Sequence, residues 1–565
     1  MNTANPKAKL MDRRDFVTAG TASTSLHHTP NRRSSRTNSG IAPYNGPWTK
    51  NEVVHLLKRA MFGSTPDDVN FFLGIGMNGT VDALLNVSAT APAPPVKNYS
   101  NNNIPSSDAD YAIQIGETWI NTNTTNADGQ RRNSLKAWWM GLMINQERTI
   151  REKMTLFWHN HFSTESTDVG RAIWAYNYNT LCRKNAVGNF KQFVKEITLD
   201  VAMLRYLNGY LNVSTAPDEN YARELQELFT LGKENNPNYS EDDVKAAARV
   251  LTGWKINTTT NTSFFNANQH DTANKQFSSF YNTTITGRSG STAGDLELTD
   301  LINMIFSKSN EVSRFIIKKL YRYFVYYEID SATETNVIEP LAQLFVSSNW
   351  EIKPVLSVLF KSEHFYDVLN QGCYIKSPVD LVVSVCREYG IVFPDNSDTT
   401  NVYNMWSFIQ VAAALLQQDI CDPPDVAGWK AYYQSPQFHE IWINSDTYPK
   451  RNQFTDTLIT TGYTRSGKKI IIDPIAFSKK LSNPSDPNDL INDSLAILFR
   501  IDLSQMTKTA LKKQILLSNQ DQDYYWTNAW LAYINNPSNA NYQVVYTRLR
   551  DLYKYFMDLA EYQMC

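Results

Sequence analysis

Helical periodicity constrains this chain more than any other feature of it. From residue 131 to 254, apolar side chains recur every three or four positions in one segment after another: 132–147, 150–162, 171–184, 189–197, 218–231 and 240–254. The pattern returns at 296–308, 310–326, 334–347, 352–361, 378–388 and 401–418, and again at 539–562. Segments of this kind fold by packing their apolar stripes on one another. The expected fold is therefore mainly α, a large irregular multi-helical single domain. No fixed-period repeat is present, which disfavours a solenoid. Helix starts are also legible. Thr49 caps a segment carrying Val53, Val54, Leu57, Ala60 and Met61, and Thr65-Pro66-Asp67-Asp68 combines a capping hydroxyl, a first-turn proline and first-turn acids.

The interruptions set the organisation. Residues 1–45 are polar and rich in Ser, Thr, Asn and Arg, and read as a disordered leader. Residues 87–108 lack any period and read as a surface excursion. Residues 257–292, rich in Thr, Asn, Ser and Phe, suit an irregular loop or a short hairpin inserted among the helices. Pro423-Pro424 stops the helical run, and 465–500 reads as polar and irregular with a short strand at Lys469–Ile472. The expected division is a leader over 1–45, a main helical domain over 46–455, and a C-terminal extension over 456–565 packed on it.

Hydrophobic residues make up 42% and aromatics 12%, a globular composition, and a net charge of -2 gives no general attraction to nucleic acid. Cys182, Cys373, Cys386, Cys421 and Cys565 are widely spaced and form no CxxC pair, so neither a zinc knuckle nor a thioredoxin-like site is indicated. One or two disulfides remain open for an exported chain. No run of 18 apolar residues is present, so no transmembrane helix is expected. Arg13-Arg14, followed by Phe16 and a weakly apolar Thr18 to Leu26 stretch, reads as a twin-arginine export signal, which points to the periplasm or cell surface. The competing reading is a basic leader with no export role.

Five segments carry side chains capable of chemistry. In Trp158-His159-Asn160-His161-Phe162, the histidines share a face on a strand and can chelate one metal, but lie about 200° apart on a helix. In Glu219 to Gly232, Glu224, Glu227 and Asn220 border an apolar stripe of Leu225, Leu228 and Phe229, with Arg223 able to pair at i±4. The plainer reading there is a solvated, ion-paired flank closed by a Gly232 cap. Ser240 with Asp243 reads as a capping box rather than a catalytic acid. His270-Asp271, with Lys275, lies in the irregular segment, where Asp271 can orient His270 or both can bind a cation, or the stretch is a polar turn. Trp429, after Asp422-Pro423-Pro424-Asp425-Val426-Ala427-Gly428, and Trp442 either form a stacking platform or close the core. His55, His364 and His439 stand alone and are assigned no role.

Taken in order, these stretches resemble the bacterial domain-of-unknown-function family 1800. The resemblance rests on HLLKRAMFGSTPDDV (55–69), EKMTLFWHNHFST (152–164), GNF (188–190), AMLRYL (202–207), ENYARELQELFTLG (219–232), YSEDDVKAAARVLTGW (239–254), HDTANKQF (270–277), IKSP (375–378) and PPDVAGW (423–429). It covers residues 48 to about 452 and weakens beyond 455. Val201, Asn208 and Ala427 depart from the family pattern, where Pro, Asp and Lys are usual. The resemblance implies bacterial origin, frequent export and a helical fold, and brings no activity with it.

The leading expectation is a metal-assisted or acid–base hydrolase of the cell envelope. His159, His161 and His270 would hold one divalent metal ion, Glu224, Glu227 and Asp271 would move protons, and Arg223 or Lys275 would stabilise negative charge. The alternative is a non-catalytic envelope protein that binds polysaccharide or a partner protein through Trp429 and Trp442. A third is that the polar groups form only an internal ion-pair network.

Overall fold

A computed structural model describes residues 40–120, 125–233 and 239–565. The twin-arginine signal expected at Arg13-Arg14 lies outside the described residues. The chain is 57% helical, and among the described residues the strands form only two-stranded pairs. No described helix is long and apolar enough to cross a membrane.

Helices begin where the capping residues stand. Thr49 and Glu52 close a reciprocal capping box at the Lys50–Ala60 helix, and Thr65 receives the Asp68 N–H with Pro66 in the first turn. Each such cap is worth about 1 kcal/mol. Most expected segments recur within a few residues as Asp128–Ile144, Arg151–His161, Ala172–Lys184, Ala293–Ser307, Ser309–Phe324, Pro378–Glu388 and Thr399–Leu415. The Thr/Asn-rich insertion is a hairpin, Trp254–Asn257 on Thr262–Phe265, followed by the short Lys275–Gln276 and Thr284–Ile285 pair.

Three expectations need correction. The 218–231 segment is not one α-helix, because Asn220–Glu224 passes into a π-helical turn over Leu225–Thr230. The next helix stops at Val250, since Gly253 adopts φ +92° and Trp254 starts the hairpin. The 465–500 region is not irregular throughout: it holds helices Pro474–Ser478 and Pro487–Leu498 besides the Tyr463–Arg465/Lys468–Ile470 hairpin. Its Asp473-Pro474 and Asp486-Pro487 pairs look like turns, but each places an N-capping carboxylate before a first-turn proline. Thr447–Thr460 and Tyr524–Asn535 are further helices in stretches with no clear helical period.

One continuous apolar core runs from Val53 to Tyr562. Two glycines permit close approaches around it. At Gly141 a Cβ would meet the Trp406 indole at 2.6 Å, so glycine lets the Asp128–Ile144 and Thr399–Leu415 helices pack. Gly428, at φ +90°, would place a Cβ 2.3 Å from Asn160 Oδ1, the oxygen that accepts the Trp429 N–H. The Pro-Pro loop is thereby fastened to the WHNHF helix. The C-terminal segment also enters the main body. Cys565 N–H donates to Tyr374 O, and Lys376 N–H donates to Gln563 O.

Candidate functional site

The polar residues singled out in the sequence are taken up by separate neighbours. His159 and His161 sit on the Arg151–His161 helix, so the two rings diverge. His161 donates from Nε2 to Phe229 O at 3.1 Å and accepts at Nδ1 from Lys319 Nζ at 3.0 Å. This bond takes up a carbonyl of the π-helical turn, and burial together with the Lys319 charge pushes the His161 pKa well down. His159 lies among Trp139, Tyr178 and Trp429 with no hydrogen-bond partner on either ring nitrogen. Burial lowers its pKa to about 4, so the ring is neutral at physiological pH.

The ENYARELQELF segment is an ion-paired flank. Arg223 binds Glu241 at 2.6 Å and Glu219 at 3.2 Å, and reaches Glu227 at 3.8 Å, while Lys233 pairs with Glu227. Burial and then the neighbouring Glu227 charge raise the Glu224 carboxyl. Ser240 and Asp243 do form the reciprocal capping box, and Asp243 also accepts from Ser278 N and Oγ.

Asp271 does not orient His270. It pairs with Arg249 at 2.6 Å, whereas His270 Nδ1 meets Thr252 and its Nε2 lies 3.2 Å from Glu297 Oε1, outside hydrogen-bonding geometry. Lys275 is buried against Glu297 Oε2 at 2.6 Å. The expected single metal centre of His159, His161 and His270 is therefore not assembled. Among the described residues no group of three or more His, Cys, Asp or Glu is arranged to hold a metal ion. The physical reason is the helical offset of about 200° within HxH and the capture of His161 by Phe229 O and Lys319 and of His270 by Thr252.

The tryptophan platform is also corrected. Trp429 is 2% exposed and Trp442 3% exposed, so neither presents a face to an external polysaccharide. Trp429 instead packs its ring on His159.

What the fold does bring together is a small buried polar cavity that sequence reasoning missed. Its walls come from four separate stretches: Lys58 and Arg59 from HLLKRA, Lys153 from EKMTLF, Ser377 and Asp380 from the start of the Pro378–Glu388 helix, and Tyr432 and Trp442 from the segment after PPDVAGW. Tyr323, Tyr374, Ile375 and Cys565 complete it, and only about 20 Å³ of its space is enclosed, room for about one water, the remainder opening to solvent. Asp380 accepts from Ser377 Oγ at 2.9 Å and pairs with Lys153. Glu388, just behind the wall, pairs with Lys58.

Arg59 has no such partner. Its guanidinium lies on the Tyr374 ring at 4.6 Å, and Nη2 donates to Asn370 O and Cys373 Sγ at 3.3 Å, but Nε is buried without an acceptor. Arg451 is fully buried and donates only to Gln563 Oε1 and Lys376 O. Lys376 holds its ammonium 3.9 Å over the Tyr562 ring with no hydrogen bond, and burial followed by the Lys58 charge lowers its pKa to about 7. Neighbouring His439 accepts the Ile375 N–H at Nδ1 and so fixes the segment that carries Lys376 and Ser377. Burial holds the His439 pKa at about 4.

The five cysteines form no disulfide. Burial pushes the Cys182, Cys386 and Cys421 thiols up, so they are unreactive core groups.

A family model described as "Protein of unknown function (DUF1800)" matches residues 55–564. The match runs through the C-terminal segment, beyond the 48–452 stretch that carries the recognisable motifs. No curated protein and no solved structure matches the chain.

Proposed function

The chain belongs to domain-of-unknown-function family 1800, and from that premise we propose that it works through the Arg59–Lys153–Asp380 cavity, binding a small molecule there and acting on it by acid–base chemistry. The observation that carries this is the convergence of three separate family-like stretches, HLLKRA, EKMTLF and IKSP, on one polar space. Buried polar groups are costly, and a core needs none of them to be stable. Asp380 is the candidate proton acceptor and Lys153 the cation that orients it; Ser377, the hydroxyl Asp380 addresses, also caps the Pro378–Glu388 helix by accepting the Asp380 N–H. A hydrolytic reaction fits this set. The non-catalytic alternative uses the same cavity and differs only in the absence of turnover.

Mass spectrometry of small molecules released from the purified chain tests the reading. The wild type should retain a compound that Ile375→Trp, which fills the cavity, does not. Identical small-molecule content in the two proteins, both folded, counts against it. Turnover that disappears in Asp380→Asn while binding persists separates enzyme from binding protein. We place the protein in the cell envelope on the Arg13-Arg14 leader. Arg13→Lys with Arg14→Lys should abolish export of a fused reporter, and unchanged export would refute that placement.

A further inference from the structure

We infer that Cys373 is a modification site, a thiolate held by Arg59 and oxidised there by a small peroxide. The inference is independent of what the cavity binds. Cys182, Cys386, Cys421 and Cys565 are buried, whereas Cys373 is half-buried. The turn at Val368–Asn370 and the Lys50–Ala60 helix bring three atoms together beside it. Arg59 Nη2 donates to Cys373 Sγ at 3.3 Å and to Asn370 O at 3.3 Å, and Sγ lies 3.3 Å from the same Asn370 O. Arg59 is fixed on this contact. It is 3% exposed, its guanidinium lies 4.6 Å over the Tyr374 ring, and its Nε is buried without an acceptor. A cysteine that is partly exposed beside a fixed cation is a reactive one, because the thiolate and not the thiol is the nucleophile.

Two carbonyls favour the protonated form, since the S–H can donate to Asn370 O at 3.3 Å or Val325 O at 3.6 Å. Neither outweighs Arg59. A thiol is a weak donor, whereas a hydrogen bond between charged groups is about twice as strong as a neutral one. Loss of the proton also leaves Asn370 O satisfied, because Arg59 Nη2 still donates to it. Of the neighbouring ionisable groups, His439 packs on Tyr374 and is neutral, with burial and then the Arg59 charge holding its pKa at about 4. Tyr374 donates its hydroxyl to Arg322 O, and the Arg322 guanidinium, a further cation, lies 5.4 Å from the Phe438 ring. The negative charge at Cys565 opposes a second anion. It does not discharge Arg59: burial works against the guanidinium, but Cys565, then Cys373 and Tyr374, hold its pKa above the ordinary value.

In the step proposed, the Cys373 thiolate attacks one oxygen of hydrogen peroxide. An S–O bond forms, the O–O bond breaks and hydroxide leaves to solvent, so the sulfur is oxidised by two electrons to a sulfenic acid and the peroxide is reduced. Arg59 also lines the cavity, so the modification bears on that wall. Peptide-resolved mass spectrometry of the reduced, folded full chain tests this with iodoacetamide across about pH 5 to 10, and with hydrogen peroxide trapped by dimedone. Cys373 should be alkylated at least tenfold faster than Cys182, Cys386 or Cys421, with a rate midpoint below the ordinary thiol value of about 8.5. Peroxide should give a dimedone adduct at Cys373 that is missing in Cys373→Ser. Arg59→Gln should raise the midpoint and slow alkylation near pH 6.5 at least tenfold, while Lys450→Gln, at an exposed pair, should change neither. Because Arg59→Gln risks misfolding, the wild-type pH profile is read independently of it. A midpoint at or above about 8.5, or alkylation of Cys373 no faster than that of the buried thiols, overturns the thiolate. Alkylation as expected without a peroxide adduct at Cys373 overturns the oxidation.

Discussion

Two charged regions of this molecule look alike in sequence and differ in how directly their charges are paired. Around Arg223 and around His270 most charges have a local answer: Glu241 and Glu219 for Arg223, Lys233 for Glu227, Arg249 for Asp271, and Glu297 for Lys275, with Glu224 the exception. Around the cavity, Arg59 and Arg451 make no direct ion pair and Lys376 no hydrogen bond, and they share the negative charge at Cys565. Matched charges hold helices in register and need no ligand. Buried charges without a direct partner are costly to the fold, so the second region is where a function is to be sought.

The contrast can be broken most severely at Glu388, which neutralises Lys58 behind the cavity. Glu388→Gln should lower unfolding stability by about 3–5 kcal/mol, the usual effect of stranding a buried charge. Denaturant midpoints measure it, and a loss under 1 kcal/mol would show that the region is not electrostatically taut.

Lys376→Met should act in the opposite direction. The fold holds the Lys376 pKa at about 7, against 10.5 for an unstrained lysine. Below pH 7 the buried ammonium therefore costs its full amount, and stability rises as the pH climbs from 7 to 10.5. The variant should gain up to about 5 kcal/mol near pH 6, less at pH 9, and nothing above 10.5. A gain independent of pH would assign the effect to packing instead.

His159 sharpens the same point at acid pH. Its folded pKa of about 4 lies below the ordinary 6.5, so the unfolded chain binds the extra proton first. Its contribution is intact above pH 6.5 and falls away between 6.5 and 4, by about 3 kcal/mol. His159→Phe, which keeps the aromatic packing and removes two orphaned nitrogens, should flatten that part of the pH–stability profile. An unchanged profile would mean that an unseen partner satisfies the ring. Last, Arg223→Ala should change stability by only about 0.5 kcal/mol, as expected for exposed ion pairs, despite its several partners. A loss above 2 kcal/mol would erase the distinction between the two regions.

How far the site was legible depends on the kind of signal. Histidine and glutamate draw attention because they are versatile, but His161 spends its ring on Phe229 O and Lys319, and Glu227 spends its carboxylate on Lys233. Lysine and arginine within amphipathic helices read as solvated, and so Lys58, Arg59 and Lys153 escape notice. One signal did point to them. HLLKRA, EKMTLF and IKSP are among the stretches that make the chain resemble its family, and each supplies cavity groups or their immediate support.

The helical class, most helix boundaries, the Thr49, Thr65 and Ser240 caps and the hairpin insertion follow from the sequence alone, because they depend on contacts within a few residues. The π-helical turn at Leu225–Thr230, the helices behind Asp473-Pro474 and Asp486-Pro487, the burial of Trp429 and Trp442, and the contact of Arg59 with Cys373 do not. Those were decided by which surfaces meet. Periodicity shows that a side chain lies on a face, but only the packed partner determines whether its charge is answered.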